Sequence, residues 1–468
     1  MQDLAFASAT RLARAIRSRE VSSLEVVQAC LDRIAAVNPK LNAVVQVRGE
    51  SALAEAADAD RALARGEARG PLHGVPITLK DSHDTVACVS TWGTPGRARF
   101  VPREDATAAG RLLRAGAILL GKTNTPEFTL SFETDNPVYG RTANPYDLGR
   151  TPGGSSGGAA ATLAAGGSPL DLGSDTGGSI RLPAHFCGIA GIRPTSGRVP
   201  RTGHAIGFDG LVQSLTSLGP MARFVEDLAL ALPLVSGPDG RDPHVVPMPL
   251  GDPADVDLGG LRVALHSDNG IETPTEEIRE AVRAAGRLLE GVGARVEELR
   301  PPGIEETLEL FMGLMTADGG AWLRLLLERA GTPPEASWLR WLAEPRPVSG
   351  DALARLLERW DRFRSRMLGF AEAHDLILCP PSARAALPHG SERTSVPCFT
   401  YTMTWNLTGW PGAVVRAGTS VEGLPVGVQL VARPWREDVA LAAAALVETG
   451  LGGFQPPGAL IEARPRAS

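Results

Sequence analysis

Apolar residues recur at helical spacing through the first sixty positions, and from residue 75 they contract into short runs broken by glycine and proline. Leu24, Val27, Cys30, Leu31 and Ile34 fall every third or fourth position, one stripe of an amphipathic helix. Ser22-Ser23-Leu24-Glu25 opens that helix as a capping box, and Pro39 marks its expected end. A second, alanine-rich helix is expected over residues 53–63. The runs at 75–79, 117–120, 170–172 and 189–192 read as strands separated by helical stretches, an α/β pattern. Residues 237–260, rich in Pro, Asp and Gly, read as a surface connection. A strand at 261–265 and an amphipathic helix at 274–289 follow. Residues 305–327 and 338–367 predict two Leu- and Trp-rich helices with more large apolar side chains than one packed face requires. They are either ordinary core or the wall of a lid or acyl-binding site. Residues 376–447 return to strand, loop and helix, and no internal repeat is evident.

Composition narrows the class. The chain has 468 residues, 43% hydrophobic and 21% charged, the balance of a folded globular protein. A chain of this length buries roughly 75% of its unfolded surface, enough to enclose a polar site. The net charge of −6, with Lys and Arg dispersed, argues against a nucleic-acid or anionic-membrane partner. Five scattered cysteines without a CxxC pair predict buried thiols rather than a disulfide framework or a zinc site. The N-terminus lacks the basic start and apolar run of a signal peptide, and no apolar stretch approaches ~18 residues. A cytoplasmic protein with no membrane span is expected.

Two motifs match familiar expressions without the required context. Gly116-Ala-Ile-Leu-Leu-Gly121-Lys122-Thr123 fits the phosphate-loop pattern, but its intervening residues are themselves strand-like, and Asn-Thr-Pro follows where a helix should open. Gly153-Gly154-Ser155-Ser156-Gly157 fits the nucleophile elbow, yet a Pro-, Gly- and Arg-containing turn precedes it instead of a strand. Neither His374 nor His389 has a setting that would complete a triad with it.

The longer stretch carries more. Two glycine clusters each hold a serine, Ser155 and Ser179, 24 residues apart. Glycine permits backbone conformations closed to other residues, so Thr176-Gly177-Gly178-Ser179 can aim successive amides at one point, as an oxyanion hole requires. A flexible linker would not alternate with apolar runs or end in Ile-Arg-Leu-Pro. Gly153-Gly-Ser-Ser-Gly-Gly158, Asp175-Thr-Gly-Gly-Ser-Ile-Arg181 and the run from Pro183 to Thr195 together resemble the amidase-signature family. Gly74-Val-Pro-Ile-Thr-Leu-Lys80-Asp81 upstream, with Asn406-Leu-Thr-Gly-Trp-Pro411 and Gly423-Leu-Pro-Val-Gly-Val-Gln429 downstream, extend the resemblance over residues 5–450, weakest at 240–370.

The resemblance implies an α/β fold with a large twisted mixed sheet covered by helices on both faces. It implies Ser179 as nucleophile, Ser155 as proton relay behind a cis peptide bond from Gly154, and Lys80 as base. Lys80 must be neutral for that task, which burial promotes. Thr176, Gly177 and Gly178 would line the oxyanion hole, Asp175 and Arg181 would pair to brace the loop, and Thr129 and Ser131 would contact substrate. Neither a metal nor an organic cofactor is implied. One domain over 1–468 is expected, with a helical segment at 1–65, a catalytic core at 66–235, a variable substrate-side region at 236–375 and closing strands and helix at 376–455. Residues 129–140 look closer to the fatty-acid-amide and aryl-amide branches than to the amidase subunit of tRNA-dependent amidotransferases. The expected partner is a small-molecule amide, with carbamates and esters open to the same acyl chemistry. The protein itself would act as monomer or homodimer.

Overall fold

Along the central strands apolar positions alternate, and both halves of the alternation are buried. The computed structural model describes residues 4–458 apart from 87 and 209. Eleven strands occur among them: β1 (Val44–Val47), β2 (Pro76–Lys80), β3 (Ile118–Thr123), β4 (Leu170–Asp175), β5 (Ala190–Arg193), β6 (Ser217–Ala222), β7 (Arg262–Leu265), β8 (Arg295–Glu298), β9 (Leu376–Cys379), β10 (Gly412–Thr419) and β11 (Pro425–Ala432). Eight form one sheet in the order β4-β6-β5-β10-β11-β9-β7-β8, antiparallel from β4 through β9 and parallel from β9 to β8. The other three form a small sheet, β1-β3-β2, in which β3 runs antiparallel to β1 and parallel to β2.

In β11, Val426, Val428 and Leu430 join Ala413 and Val415 of β10 in one core with residues of the helices Val225–Val235, Glu276–Gly291 and Glu437–Gly450. On the opposite face Val431 of β11 and Ile377 of β9 pack with the helices Thr307–Thr316, Gly350–Ala373 and Thr400–Thr408. Strands wrapped on both sides have no solvent face, so the central ones read as apolar runs, whereas the edge strand β8, Arg295-Val-Glu-Glu298, is largely exposed and polar. This is the expected α/β fold with a large mixed sheet.

Asp171, in β4 at the edge of the large sheet, joins the two sheets. Its carboxylate accepts from Thr78 Oγ1 at 2.6 Å and Lys80 N at 3.1 Å on β2, and from Thr123 Oγ1 at 3.0 Å on β3. The ends of β2 and β4 are thereby held side by side.

Helix boundaries depart from expectation where glycine and proline act. The capping box at Ser22 and Glu25 is present, but the helix Ser23–Leu41 runs past Pro39, because a proline in the last turn removes one donor while Asn42 N still closes onto the Asn38 carbonyl at 2.8 Å. The alanine-rich helix is longer than expected, Gly49–Ala64. The helix expected at 305–327 is two, Thr307–Thr316 and Ala321–Ala330, because Gly319 and Gly320 take positive φ between them. The one expected at 338–367 breaks into Arg340–Ala343 and Gly350–Ala373 around Pro345 and Pro347, with Ser349 capping the second piece. Among the described residues no single helix is long and apolar enough to cross a membrane.

Candidate active site

Lys80 is the last residue of β2, and its side chain is fully buried. Nζ lies 2.6 Å from Ser155 Oγ, 2.9 Å from Ser156 Oγ and 2.9 Å from Ser174 Oγ. Three hydroxyls therefore surround the amine, and among the described residues no carboxylate forms an ion pair with it. Burial holds the Lys80 pKa well below that of a free lysine, against the opposing pull of the Asp171 and Asp175 charges. A neutral amine donates two N–H bonds and accepts one O–H into its lone pair, which matches three hydroxyl neighbours.

Ser155 follows a cis peptide bond from Gly154 and leads into the helix Gly157–Ala164. Residues 151–156 form an irregular turn rather than a strand, so the elbow geometry is absent. A Cβ on Gly154 would lie 2.7 Å from Glu133 N and O, and this close backbone approach explains the glycine. Ser156 N donates to the Ser179 carbonyl at 3.1 Å, which ties the two serine loops together.

The Ser179 loop is built around the Asp175 carboxylate. It accepts from Gly178 N at 2.9 Å and Ile180 N at 3.1 Å, and Arg181 grips it as a fork, Nε and Nη2 each at 2.9 Å. Arg181 also donates to Gln429 Oε1 at 2.8 Å, Asn406 Oδ1 at 2.6 Å and the Thr402 carbonyl at 3.0 Å, while Asn406 Nδ2 donates back to Asp175 at 2.8 Å. Burial alone would raise the Asp175 pKa; the Arg181 charge and hydrogen bonds, the Arg193 charge and the Asn406 contact overcome it and hold the carboxyl well below its usual range. A carboxylate this fully satisfied braces the loop and has no lone pair left for proton transfer.

The brace changes one expectation. The Gly178 N–H, expected in the oxyanion hole, is spent on Asp175, whereas the N–H groups of Thr176, Gly177 and Ser179 have no acceptor among the described residues. Gly178 acts instead through its shape: φ is +133°, and a Cβ there would lie 2.2 Å from Thr402 Oγ1. Thr402 Oγ1 donates to the Gly177 carbonyl at 2.8 Å, fixing the Gly177–Gly178 peptide whose N–H goes to Asp175.

Ser179, Thr176 and Gly177 open onto a cavity of about 400 Å³ that is also lined by Thr129 and Ser131. Its lining includes the apolar side chains Phe132, Phe311, Met312, Met315, Trp338 and Leu342, with Phe132 and Phe311 directly against Gly177, and the charged Arg141 and Arg393. Thr129 sits at φ +62°, and its buried Oγ1 has no hydrogen-bond partner among the described residues. The Ser131 hydroxyl donates to Glu392 rather than standing free. Two carboxylates clasp the rim reciprocally. Glu392 accepts from Phe132 N at 2.9 Å and Glu133 N at 3.1 Å, and Glu133 accepts from Gly390 N at 2.9 Å and Glu392 N at 3.1 Å. Glu127 moors the helical wall to the core, accepting from Thr94 Oγ1 at 2.7 Å on one side and from Ser337 Oγ at 3.0 Å and Trp338 N at 2.9 Å on the other.

Sequence reasoning missed Ser156, Ser174 and Asp171 around Lys80. Ser156 lies within the Gly153–Gly158 motif, Ser174 stands immediately before Asp175, and Asp171, a carboxylate between Leu170 and Leu172 in a buried strand, is a legible anomaly. Lys122 of the phosphate-loop-like run is a strand residue turned inward, donating to the His83 carbonyl and to Thr85 Oγ1 at 2.9 Å, so no phosphate loop exists there.

A family model described as Amidase matches residues 25–441. A glutamyl-tRNA(Gln) amidotransferase subunit of Carboxydothermus hydrogenoformans is 36% identical, over 94% of this chain and 96% of its own length. Indoleacetamide hydrolase of Bradyrhizobium diazoefficiens is also 36% identical, over 95% and 86%. The solved structure of 6-aminohexanoate cyclic dimer hydrolase with its substrate superposes at a TM-score of 0.86, with 29% identity over 97% of this chain and 99% of that one. The chain belongs to the amidase-signature family of hydrolases, which act on carbon–nitrogen bonds.

Proposed function

We propose that the protein hydrolyses acyl or aryl amides through an acyl-enzyme on Ser179, with Ser155 as proton relay and Lys80 as base. The observation that carries this reading is the buried amine of Lys80, 2.6 Å from Ser155 Oγ and without an ion-pair partner among the described residues, where burial outweighs the more distant Asp171 and Asp175 charges and lowers its pKa. Ser179 Oγ attacks the carbonyl carbon; its proton passes to Ser155 Oγ, whose own proton goes to Lys80 Nζ. The loop amides of Thr176, Gly177 and Ser179 receive the developing oxyanion. As the tetrahedral species collapses, the proton returns through Ser155 to the leaving nitrogen, which departs as an amine. Water, deprotonated along the same path, then attacks the ester and releases the acid. Carbamates and esters with a matching acyl part follow the same route.

The aromatic and aliphatic side chains in the cavity, two of them against Gly177, support an apolar acyl or aryl group as the recognised part of the substrate. A second reading, the amidase subunit of a glutamine-dependent tRNA amidotransferase, is favoured by the 36% match to a protein of that name. The test is direct. The purified chain alone, without ATP or other proteins, should hydrolyse simple anilides. Glutaminase activity that appears only with partner proteins would replace the first reading by the second. A fluorophosphonate should label Ser179, Ser179→Ala should abolish labelling, and Lys80→Ala should slow it by about 10²–10⁴-fold. An adduct on Ser155 with Ser179 untouched would overturn the assignment of roles.

A further inference from the structure

The base of this site stands next to a carboxylate that the reaction itself does not touch. Asp171 is fully buried on β4, yet it forms no ion pair with any described residue. Its three hydrogen bonds come from Thr78 Oγ1, Thr123 Oγ1 and the Lys80 backbone amide, so both oxygens are held and neither faces the cavity. A buried carboxylate that no arginine or lysine neutralises is expensive to retain, and an apolar residue would serve a purely structural joint between two sheets better. Its position supplies a reason. It grips the main chain of Lys80 itself, at the point where β2 ends and the side chain turns toward Ser155.

We propose that Asp171 is a positioning residue for Lys80, fixing the end of β2 and placing a negative charge behind the amine so that it keeps enough proton affinity to draw the proton from Ser155. The inference rests on Lys80 acting as the base. Burial by itself would make the amine so reluctant to hold a proton that it would be a poor base; a carboxylate nearby offsets part of that effect. Asp171 is ionised through the neutral range, since burial raises its pKa only to about 6 against the hydrogen bonds of Thr78 and Thr123. The other charged and titratable groups around the pair are committed elsewhere. Asp175 is gripped by Arg181, while Lys122 is held by the His83 carbonyl and Thr85 with the Asp81 charge nearby. Burial keeps both His83 and His204 neutral, His83 well below its usual value and His204 at about 3.

The experiment measures the rate constant for fluorophosphonate labelling of Ser179 against pH in the full chain, for the parent, Asp171→Asn and Lys80→Ala. With the carboxylate charge removed, Lys80 gives up its proton at lower pH. The rising acid limb of the profile should therefore move down by about one pH unit, and the plateau should fall as the base weakens. A purely structural Asp171 would lower the thermal midpoint and leave the limb in place; that result, or a limb moved upward, overturns the inference. If Asp171→Asn does not fold, Thr123→Val carries the test. It removes one donor that keeps Asp171 ionised and should move the limb the same way by less, with an unmoved limb again overturning the inference. Lys80→Ala separates the two levels: parent-like labelling there defeats the base assignment itself, whereas slow labelling there with an unmoved limb in Asp171→Asn defeats only the role of Asp171.

Discussion

Arg181 shows how one side chain holds a reactive loop without taking part in its chemistry. Its guanidinium binds Asp175 through two nitrogens and spends its remaining donors on Thr402, Asn406 and Gln429. Removing it would leave Asp175 a buried charge whose ion-pair partner among the described residues is Arg193 at 3.9 Å, with the neutral donors Gly178 N, Ile180 N and Asn406 Nδ2 remaining. Arg181→Ala should therefore destabilise the protein by roughly 3–5 kcal/mol, read as a lowered unfolding midpoint in urea. Arg181→Lys should restore only part of it, because an ammonium cannot reproduce the fork. At this scale much was legible. Lys80, Ser155, Ser179, Asp175 and Arg181 all stand in motifs dense enough to single them out, and the structure brings them together. The partners of Lys80 were less legible: which of the hydroxyls of Ser155, Ser156 and Ser174 meet the amine depends on how β2 and β4 abut, a non-local fact that no spacing encodes.

Among elements, the turn between β4 and the short helix Arg181–Phe186 carries a tight steric demand at the site itself. Gly178 sits at φ +133°, with Thr402 Oγ1 occupying the place of a side chain. Gly178→Ala should force the turn away from Thr402, move the Gly177 and Ser179 amides, and cut the labelling rate of Ser179 by about 10²–10³-fold. Circular dichroism should stay native-like, because the turn lies outside the sheet. A variant with parent-like labelling would show that the oxyanion amides do not depend on this geometry. Sequence patterns placed the strands well, since a sheet covered on both faces yields compact apolar runs. They misplaced helix ends wherever a proline was tolerated late, as at Pro39, or a pair of glycines bent the chain, as at Gly319 and Gly320. The redirection of the Gly178 amide to Asp175 was likewise invisible, because sequence shows that a glycine is needed and not where its N–H points.

For the whole molecule, buried titratable groups shape the response to acid. Burial pushes Asp81, Asp171 and Asp227 up to about 6 and Glu448 up to about 7, so the folded state takes up these protons before the unfolded chain does. Alone, they would make stability increase as pH falls from 7 toward 4. Burial acts oppositely on four imidazoles. His185 and His266 fall to about 4, His204 to about 3 and His83 well below its usual value, so the unfolded chain binds those protons first, below pH ~6.5, and stability decreases. Burial also raises Asp84, Glu127 and Glu392 and lowers a fifth imidazole, His389, so seven carboxyls oppose five imidazoles between about pH 6.5 and 4.5, and the thermal midpoint should hold there rather than fall. Below about pH 4 the unfolded carboxyls also protonate and the balance is lost, joined by the depressed carboxyl of Asp175, and the midpoint should drop steeply. Scanning calorimetry across pH 3–7 reads the outcome; a steady decline from pH 6.5 would contradict the balance.

Glu127 makes a separation that reaches beyond this one molecule. The helical wall is fastened to the core at this carboxylate, through Ser337 and the Trp338 amide, by bonds separate from those that join Lys80 of β2 to the Ser155 loop. Descendants of such a chain can redraw residues 321–343 while the contacts of Lys80 are inherited intact. The two parts hang on separate hydrogen bonds and can be revised at different speeds.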